Sequence, residues 1–184
     1  RSALANVGGK GLFSFFEKSE EDFDLEEVVE ACGALGRENV GALIVLERSN
    51  GLINYANTGT QIQADVHSDL LYALFQSSSP LHDGAVIISE GKLESAGCFL
   101  PLSKNVEIDR HLGTRHRAAL GITEITDAVV ITVSEETGRI NLCLNGEFYF
   151  CENESVLRQY LKHLWKHDKL DERLVPLDEE GGLT

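Results

Sequence analysis

With 184 residues, the chain can form one domain that buries about 70% of the surface exposed when unfolded, and it is short for two. Sixteen Lys and Arg stand against thirty Asp and Glu, and the resulting net charge of −14 excludes nucleic acid and anionic lipid as general partners. No window reaches the eighteen or so apolar residues that a membrane-crossing helix needs.

Residues 1–20 are small and polar except for Leu12-Phe13 and Phe15-Phe16, and they predict a tether. Gly8-Gly9-Lys10 lacks the spacing of a phosphate loop and is set aside. From Asp24 to Leu35, Leu25, Val28, Val29, Cys32 and Leu35 recur at three- and four-residue steps, which predicts an amphipathic helix with acids in its first turn. Gly41 to Leu46 is a continuous apolar run, the pattern of a strand covered on both faces, and Asn50-Gly51 closes the turn that follows.

Residues 52–66 read as short alternating pieces around Thr58-Gly59-Thr60. Ser68 to Phe75 predicts a helix stopped at Ser77-Ser78-Ser79-Pro80. Ala85 to Ile88 and Leu93 to Leu100 predict a hairpin about Glu90-Gly91, and Ala128 to Val133 with Arg139 to Leu144 predict a second about Gly138. Glu154 to Trp165 predicts a closing helix before a charged tail. The economical fold is α/β, one globular domain with a mixed, twisted sheet flanked by helices on both faces.

Cys32, Cys98, Cys143 and Cys151 form no C-x-x-C pair, and nothing reads as a signal peptide, so buried, reduced thiols and a cytoplasmic setting are expected. Residues 110–121 carry three arginines, two histidines and no acid, the one basic island long enough to face a triphosphate on an otherwise acidic chain.

Three stretches carry the chemistry. In Pro80-Leu81-His82-Asp83-Gly84-Ala85, a carboxylate sits in a loop at the mouth of a strand, where it can hold a divalent cation or orient a hydroxyl. His82 and Asp83 serve one site only if the chain turns there, since neighbours on a strand point to opposite faces. In Gly113-Thr114-Arg115-His116-Arg117, Thr114 suits a helix N-cap, the free amides of that end favour phosphate, and arginine offers phosphate a bidentate fork. Ser134-Glu135-Glu136-Thr137-Gly138 ends an apolar strand in a turn. Phe99 and Leu100 can sandwich a planar base. Plainer work fits the same residues: Asp83 capping a turn, the two glutamates solvating one, and Phe99 and Leu100 packing in the core.

Taken in order, these three motifs resemble the diadenylate cyclase (DAC) domain family, most closely its membrane-associated bacterial type, over about Gly41 to Glu147. The resemblance implies condensation of two ATP molecules to cyclic di-AMP with release of two pyrophosphates, using Mg2+ or Mn2+. It implies that Asp83 contacts the metal or the ribose 3′-hydroxyl beside Gly84, that His82 ligates the metal, and that Gly113, Thr114, Arg115, His116 and Arg117 hold triphosphate and ribose. Ser134 becomes a phosphate contact and Glu135 a metal contact. Phe99 stands where the membrane-associated type often has tyrosine, so stacking on the base is kept while any phenol contact is lost.

The implied division is a tether at 1–20, a catalytic domain at 21–166 and a tail at 167–184. The sequence starts at Arg1 and contains no Met, as expected of part of a longer chain, and the resemblance implies a membrane anchor ahead of it. One triphosphate site cannot present a 3′-hydroxyl to its own α-phosphate for a two-nucleotide ring, so a face-to-face homodimer is expected. Two rival readings are a module that senses ATP or cyclic dinucleotide without turnover, and a DNA-scanning cyclase. The intact motif trio disfavours the first, and length and charge disfavour the second.

Overall fold

The computed structural model of the chain describes residues 25–104 and 113–167, with side chains up to residue 165. The tether at 1–20, the tail beyond residue 167, and Arg110 and His111 of the basic run lie outside the described residues.

Twelve elements follow in order: α1 (Leu25–Arg37), β1 (Ala42–Leu46), α2 (Ile53–Ala56), β2 (Thr60–Asp65), α3 (Ser68–Phe75), β3 (Ala85–Ser89), β4 (Lys92–Cys98), α4 (Thr114–Thr123), β5 (Val129–Val133), β6 (Ile140–Leu144), β7 (Glu147–Cys151) and α5 (Glu154–His167). The strands form one seven-stranded mixed sheet in the order β2-β4-β3-β1-β5-β6-β7. β1 runs parallel to β3 and antiparallel to β5, and both expected hairpins, β3–β4 and β5–β6, are present.

The apolar run Ala42–Leu46 suits a central strand because every residue in it is buried, Ala42, Ile44 and Leu46 against one face and Leu43 and Val45 against the other. Val28, Leu35, Ile44, Leu46, Ile131, Leu142 and Leu157 belong to a large cluster on one face, under α1, α3 and α5. Leu43, Val45, Ile87, Val130 and Cys143 meet α2 and α4 in a smaller cluster on the other. β2 is an edge strand with exposed polar residues and a bulge between Gln61 and Ala64, features that discourage pairing with another sheet.

All four cysteines are free and buried, as expected, and burial pushes the Cys143 and Cys151 thiols up to about 12. Such thiols stay protonated and unreactive.

The structure corrects four local expectations. β4 ends at Cys98, so Phe99 and Leu100 lie just beyond it rather than within it. Gly113, in extended conformation, is the N-cap of α4; Thr114 is the first helical residue and makes no capping bond. The one-turn helix α2 is held by amides of Tyr55 and Ala56 donating to the Leu52 carbonyl, and it had no periodic signal. β7 extends the sheet beyond Leu144, where the sequence reading saw no further strand.

Candidate active site

Strand register brings the motifs to one edge of the sheet. Ala42 at the start of β1 pairs with Val133 at the end of β5, which also pairs with Ile140 at the start of β6. Ala85 at the start of β3 pairs with Cys98 at the end of β4, and β1 and β3 run side by side through Ile44 and Val86. The residues flanking these ends are therefore neighbours along one rim: Asp83 and Gly84 before β3, Phe99 and Leu100 after β4, Ser134 and Glu135 after β5, and Gly41 before β1. α4 joins the rim through Arg115, whose Nη1 donates to Glu135 Oε2 at 2.8 Å.

At the first loop the chain does turn, as the joint service of His82 and Asp83 requires. Gly84 has φ +125°, and a Cβ there would stand 2.7 Å from the Gly97 carbonyl carbon, so only glycine lets the loop pass so close to β4. The Asp83 carboxylate is exposed and makes no hydrogen bond to another described residue. His82 Nδ1 lies 2.7 Å from the Ser79 carbonyl oxygen. With a carbonyl as partner, Nδ1 carries the proton, and Nε2 keeps a lone pair for a cation.

An imidazole nitrogen beside a free carboxylate is a suitable donor pair for a divalent cation. Glu135 does not complete a cage with them: among the described residues, no three His, Cys, Asp or Glu side chains cluster closely enough to hold a metal ion. Glu135 is turned to Arg115 instead.

Arg115 passes over Gly41, where a Cβ would come within 2.7 Å of its Nη1, so the missing side chain makes room for the guanidinium. Its Nε is buried without a partner among the described residues. The Arg115–Glu135 pair is three-quarters buried on the arginine side and 67% exposed on the glutamate side. An ion pair that open contributes about 0–1 kcal/mol, so a phosphate offering a two-pronged acceptor can displace the carboxylate.

His116, the next residue, points elsewhere. Its Nε2 lies 3.3 Å from Asn141 Nδ2 on β6, and its ring meets Phe148 of β7 edge to face. Burial, with the Arg115 charge as the second cause, lowers its pKa below the ordinary imidazole value. Arg117 and Thr114 are exposed, and the Arg117 carbonyl accepts from Ser103 N at 2.9 Å, tying α4 to the segment after β4.

The Ser134 hydroxyl accepts from the amides of Glu136 and Thr137, each at 3.3 Å, and so shapes its own turn. Phe99 is 71% exposed, which removes it from the core, while Leu100 packs partly against the smaller cluster. The Phe99 amide donates to Thr58 Oγ1 at 2.8 Å, and that hydroxyl donates to the Tyr55 carbonyl at 2.6 Å.

Sequence reading missed Gly41, Thr58 and Asn141 as parts of the site. Asn141 had a signal: a lone amide inside the apolar run Ile140-Asn-Leu-Cys-Leu144. A separate hollow of about 530 Å3, lined by Gly33, Gly36, Arg37, Glu154 and Arg158 among others, contains none of the candidate residues. Its arginines are engaged by Glu154 and Glu26.

Residues 29–148 match the family described as "DAC: DisA bacterial checkpoint controller nucleotide-binding". The chain is 38% identical over 174 residues to the cyclic di-AMP synthase CdaA of Bacillus subtilis strain 168, a match covering 93% of this chain and 64% of that relative's length. Among solved structures it is similar to a double mutant of DacA from Staphylococcus aureus, with a TM-score of 0.75 and 37% identity, covering 81% of this chain and 98% of that one. It is also similar to a structure described as the hypothetical membrane spanning protein from Bacillus cereus, with a TM-score of 0.68 and 39% identity, covering 76% and 70% of the two chains.

Proposed function

The chain belongs to the DAC family, and from that membership we propose that it is a diadenylate cyclase, joining two ATP molecules into cyclic di-AMP and releasing two pyrophosphates. In each half-reaction the ribose 3′-oxygen of one ATP attacks the α-phosphorus of the other, an O3′–P bond forms, and the bond to the β-phosphate oxygen breaks. The hydroxyl proton passes to a base or to solvent. Both halves must occur, so two copies meet face to face, each presenting its nucleotide to the other.

Asp83 is assigned to the attacking hydroxyl or the metal, His82 to the metal through Nε2, and Gly84 to the close loop that aims them. A bound Mg2+ or Mn2+ would neutralise phosphate charge and stabilise the departing pyrophosphate. Arg115, Arg117, Thr114 and the open amides behind Gly113 hold the triphosphate, with Ser134 beside them. Phe99 offers an exposed ring to adenine, and Leu100 backs it. Positioning and charge stabilisation supply most of the acceleration in such a site.

The observation that carries this reading is the gathering of the Asp83, Phe99 and Ser134 loops and the arginine-bearing helix end at one rim of the sheet. The net charge of the whole chain, −14, restricts anion binding to that rim and argues against a nucleic-acid partner. By the same reading the domain works on the cytoplasmic side, anchored by segments outside this chain. The Bacillus cereus neighbour is described as membrane spanning, and among the described residues no helix is long and apolar enough to cross a membrane.

The test is incubation with ATP and a panel of divalent metals, following cyclic di-AMP and pyrophosphate at a one-to-two ratio. ATP binding with no product under any metal would replace the cyclase with a sensing module. Activity per chain that stays constant on dilution below measurable self-association would remove the dimer.

A further inference from the structure

Under the first turn of α4 lies a small set of polar groups that the proposed chemistry does not use. Asn141 is only 9% exposed, on a strand otherwise apolar throughout, and it projects to the α4 side of the sheet. Its cross-strand partner is Thr132, whose buried hydroxyl has no partner among the described residues. Buried amides are retained where they make a bond that an apolar residue cannot. Among the described residues, the one side chain to which Asn141 hydrogen-bonds is His116.

The bond has a direction. An amide nitrogen can only donate, so Nε2 of His116 accepts with its lone pair, and the ring proton sits on Nδ1. Successive residues on a helix diverge by about 100°. With His116 tied down to β6 and leaning on Phe148, Arg115 is turned the other way, across Gly41 to Glu135. A doubly protonated ring could not accept the amide, and burial beside Arg115 opposes that second proton.

We propose that Asn141 is a positioning residue for the arginine-bearing turn: by donating to His116 it selects the tautomer with the proton on Nδ1 and ties the start of α4 to β6, which sets the reach of Arg115. The effect on ATP rests on the cyclase reading above, whereas the tautomer does not. Thr132 stands beside Asn141 as its cross-strand partner.

Nitrogen-15 NMR of the whole chain tests this directly. The expected spectrum shows a protonated Nδ1 and an unprotonated Nε2 for His116, and a proton on Nε2 in the unmodified chain overturns the proposal even if no variant folds. Asn141→Asp keeps the shape but accepts instead of donating, so the proton is expected to move to Nε2. Asn141→Leu offers no bond and is expected to give a mixture of tautomers. In Asn141→Leu, KM for ATP is expected to rise about two- to tenfold, the range of one lost hydrogen bond, with kcat changed less, whereas Asn141→Asp keeps the tie with its polarity reversed and is expected to hold KM near the parent value. Variants that keep the original tautomer and the original KM also overturn it. An unmodified chain that makes no cyclic di-AMP ends the cyclase reading and leaves the tautomer measurement intact.

Discussion

The two faces of the sheet are built on different terms. Under α1, α3 and α5 the packing is almost wholly aliphatic and aromatic, with Leu35, Phe75, Leu93, Ile131, Leu142 and Leu157 among its fully buried side chains. Under α2 and α4 the cluster is smaller, and buried polar residues border it: Ser95 and Thr123 bond its Cys98 and Cys143, and Thr132 and Asn141 pair across β5 and β6. The first face holds the sheet together by area removed from water. The second gives up some of that area to polar groups that aim loops and a helix end, the usual division between a scaffold and a site.

Four experiments can break or sharpen that contrast. The largest effect is expected from Asp83→Asn: a fall in cyclase rate of about 10^2- to 10^4-fold, as for loss of a positioned acid–base group, with the melting temperature nearly unchanged because the carboxylate is exposed and makes no bond to another described residue. Full activity in that variant would remove the central assignment. Leu142→Ala on the scaffold face is expected to do the reverse, costing about 2–5 kcal/mol in denaturant titrations while activity per folded molecule is kept. Equal losses of rate and stability in both variants would dissolve the distinction between the faces.

Arg115→Ala is expected to raise KM for ATP by about 10- to 100-fold, the worth of a charge-assisted bond to phosphate, and to leave thermal stability close to the parent because its ion pair is open to solvent on the Glu135 side. Calorimetric ATP binding equal to the parent's would contradict this.

The smallest effect is a pH slope. His116 has a depressed pKa in the folded chain, so below the unfolded value of 6.5 the unfolded state takes up a proton that the folded state refuses. Stability should therefore fall as pH drops below 6.5 and level off once the folded pKa is passed. His116→Gln should flatten that slope in thermal melts run between pH 7.5 and 5.5. The carboxylates lowered by Arg158 and Lys92, Glu26 and Asp65, act in a separate window, losing stability below their ordinary values of 4.5 and 3.8. An identical slope in parent and variant would count against a buried, neutral imidazole.

Much of the architecture was legible because its signals are local. The continuous run at Ala42–Leu46, the three- and four-residue steps of α1, and the Glu90-Gly91 and Gly138 turns each announce an element within a short window. α2 and β7 escaped for the same reason in reverse. A single turn carries no period, and Glu147–Cys151 gains its identity from pairing with β6. The shift of the α4 cap from Thr114 to Gly113 is a one-residue matter, decided by which backbone is extended rather than by which side chain is able to cap.

Within the site, residue types were readable and directions were not. A His-Asp-Gly corner, two arginines near a glycine, and a Ser-Glu turn are chemical statements that survive in any fold. That Glu135 faces Arg115, that Thr58 braces Phe99, and that Asn141 holds His116 depend on partners 20 to 41 positions away. The amino-acid order alone determined which residue types are available for phosphate, cation and base, and where most of the strands and helices form, because those follow from side-chain chemistry and short-range periodicity. Only the tertiary structure decided that β1 lies between β3 and β5, which carries the separate loops to one rim and parts Arg115 from His116. Strand order is selected by burial of both faces at once, a long-range condition that no single stretch contains.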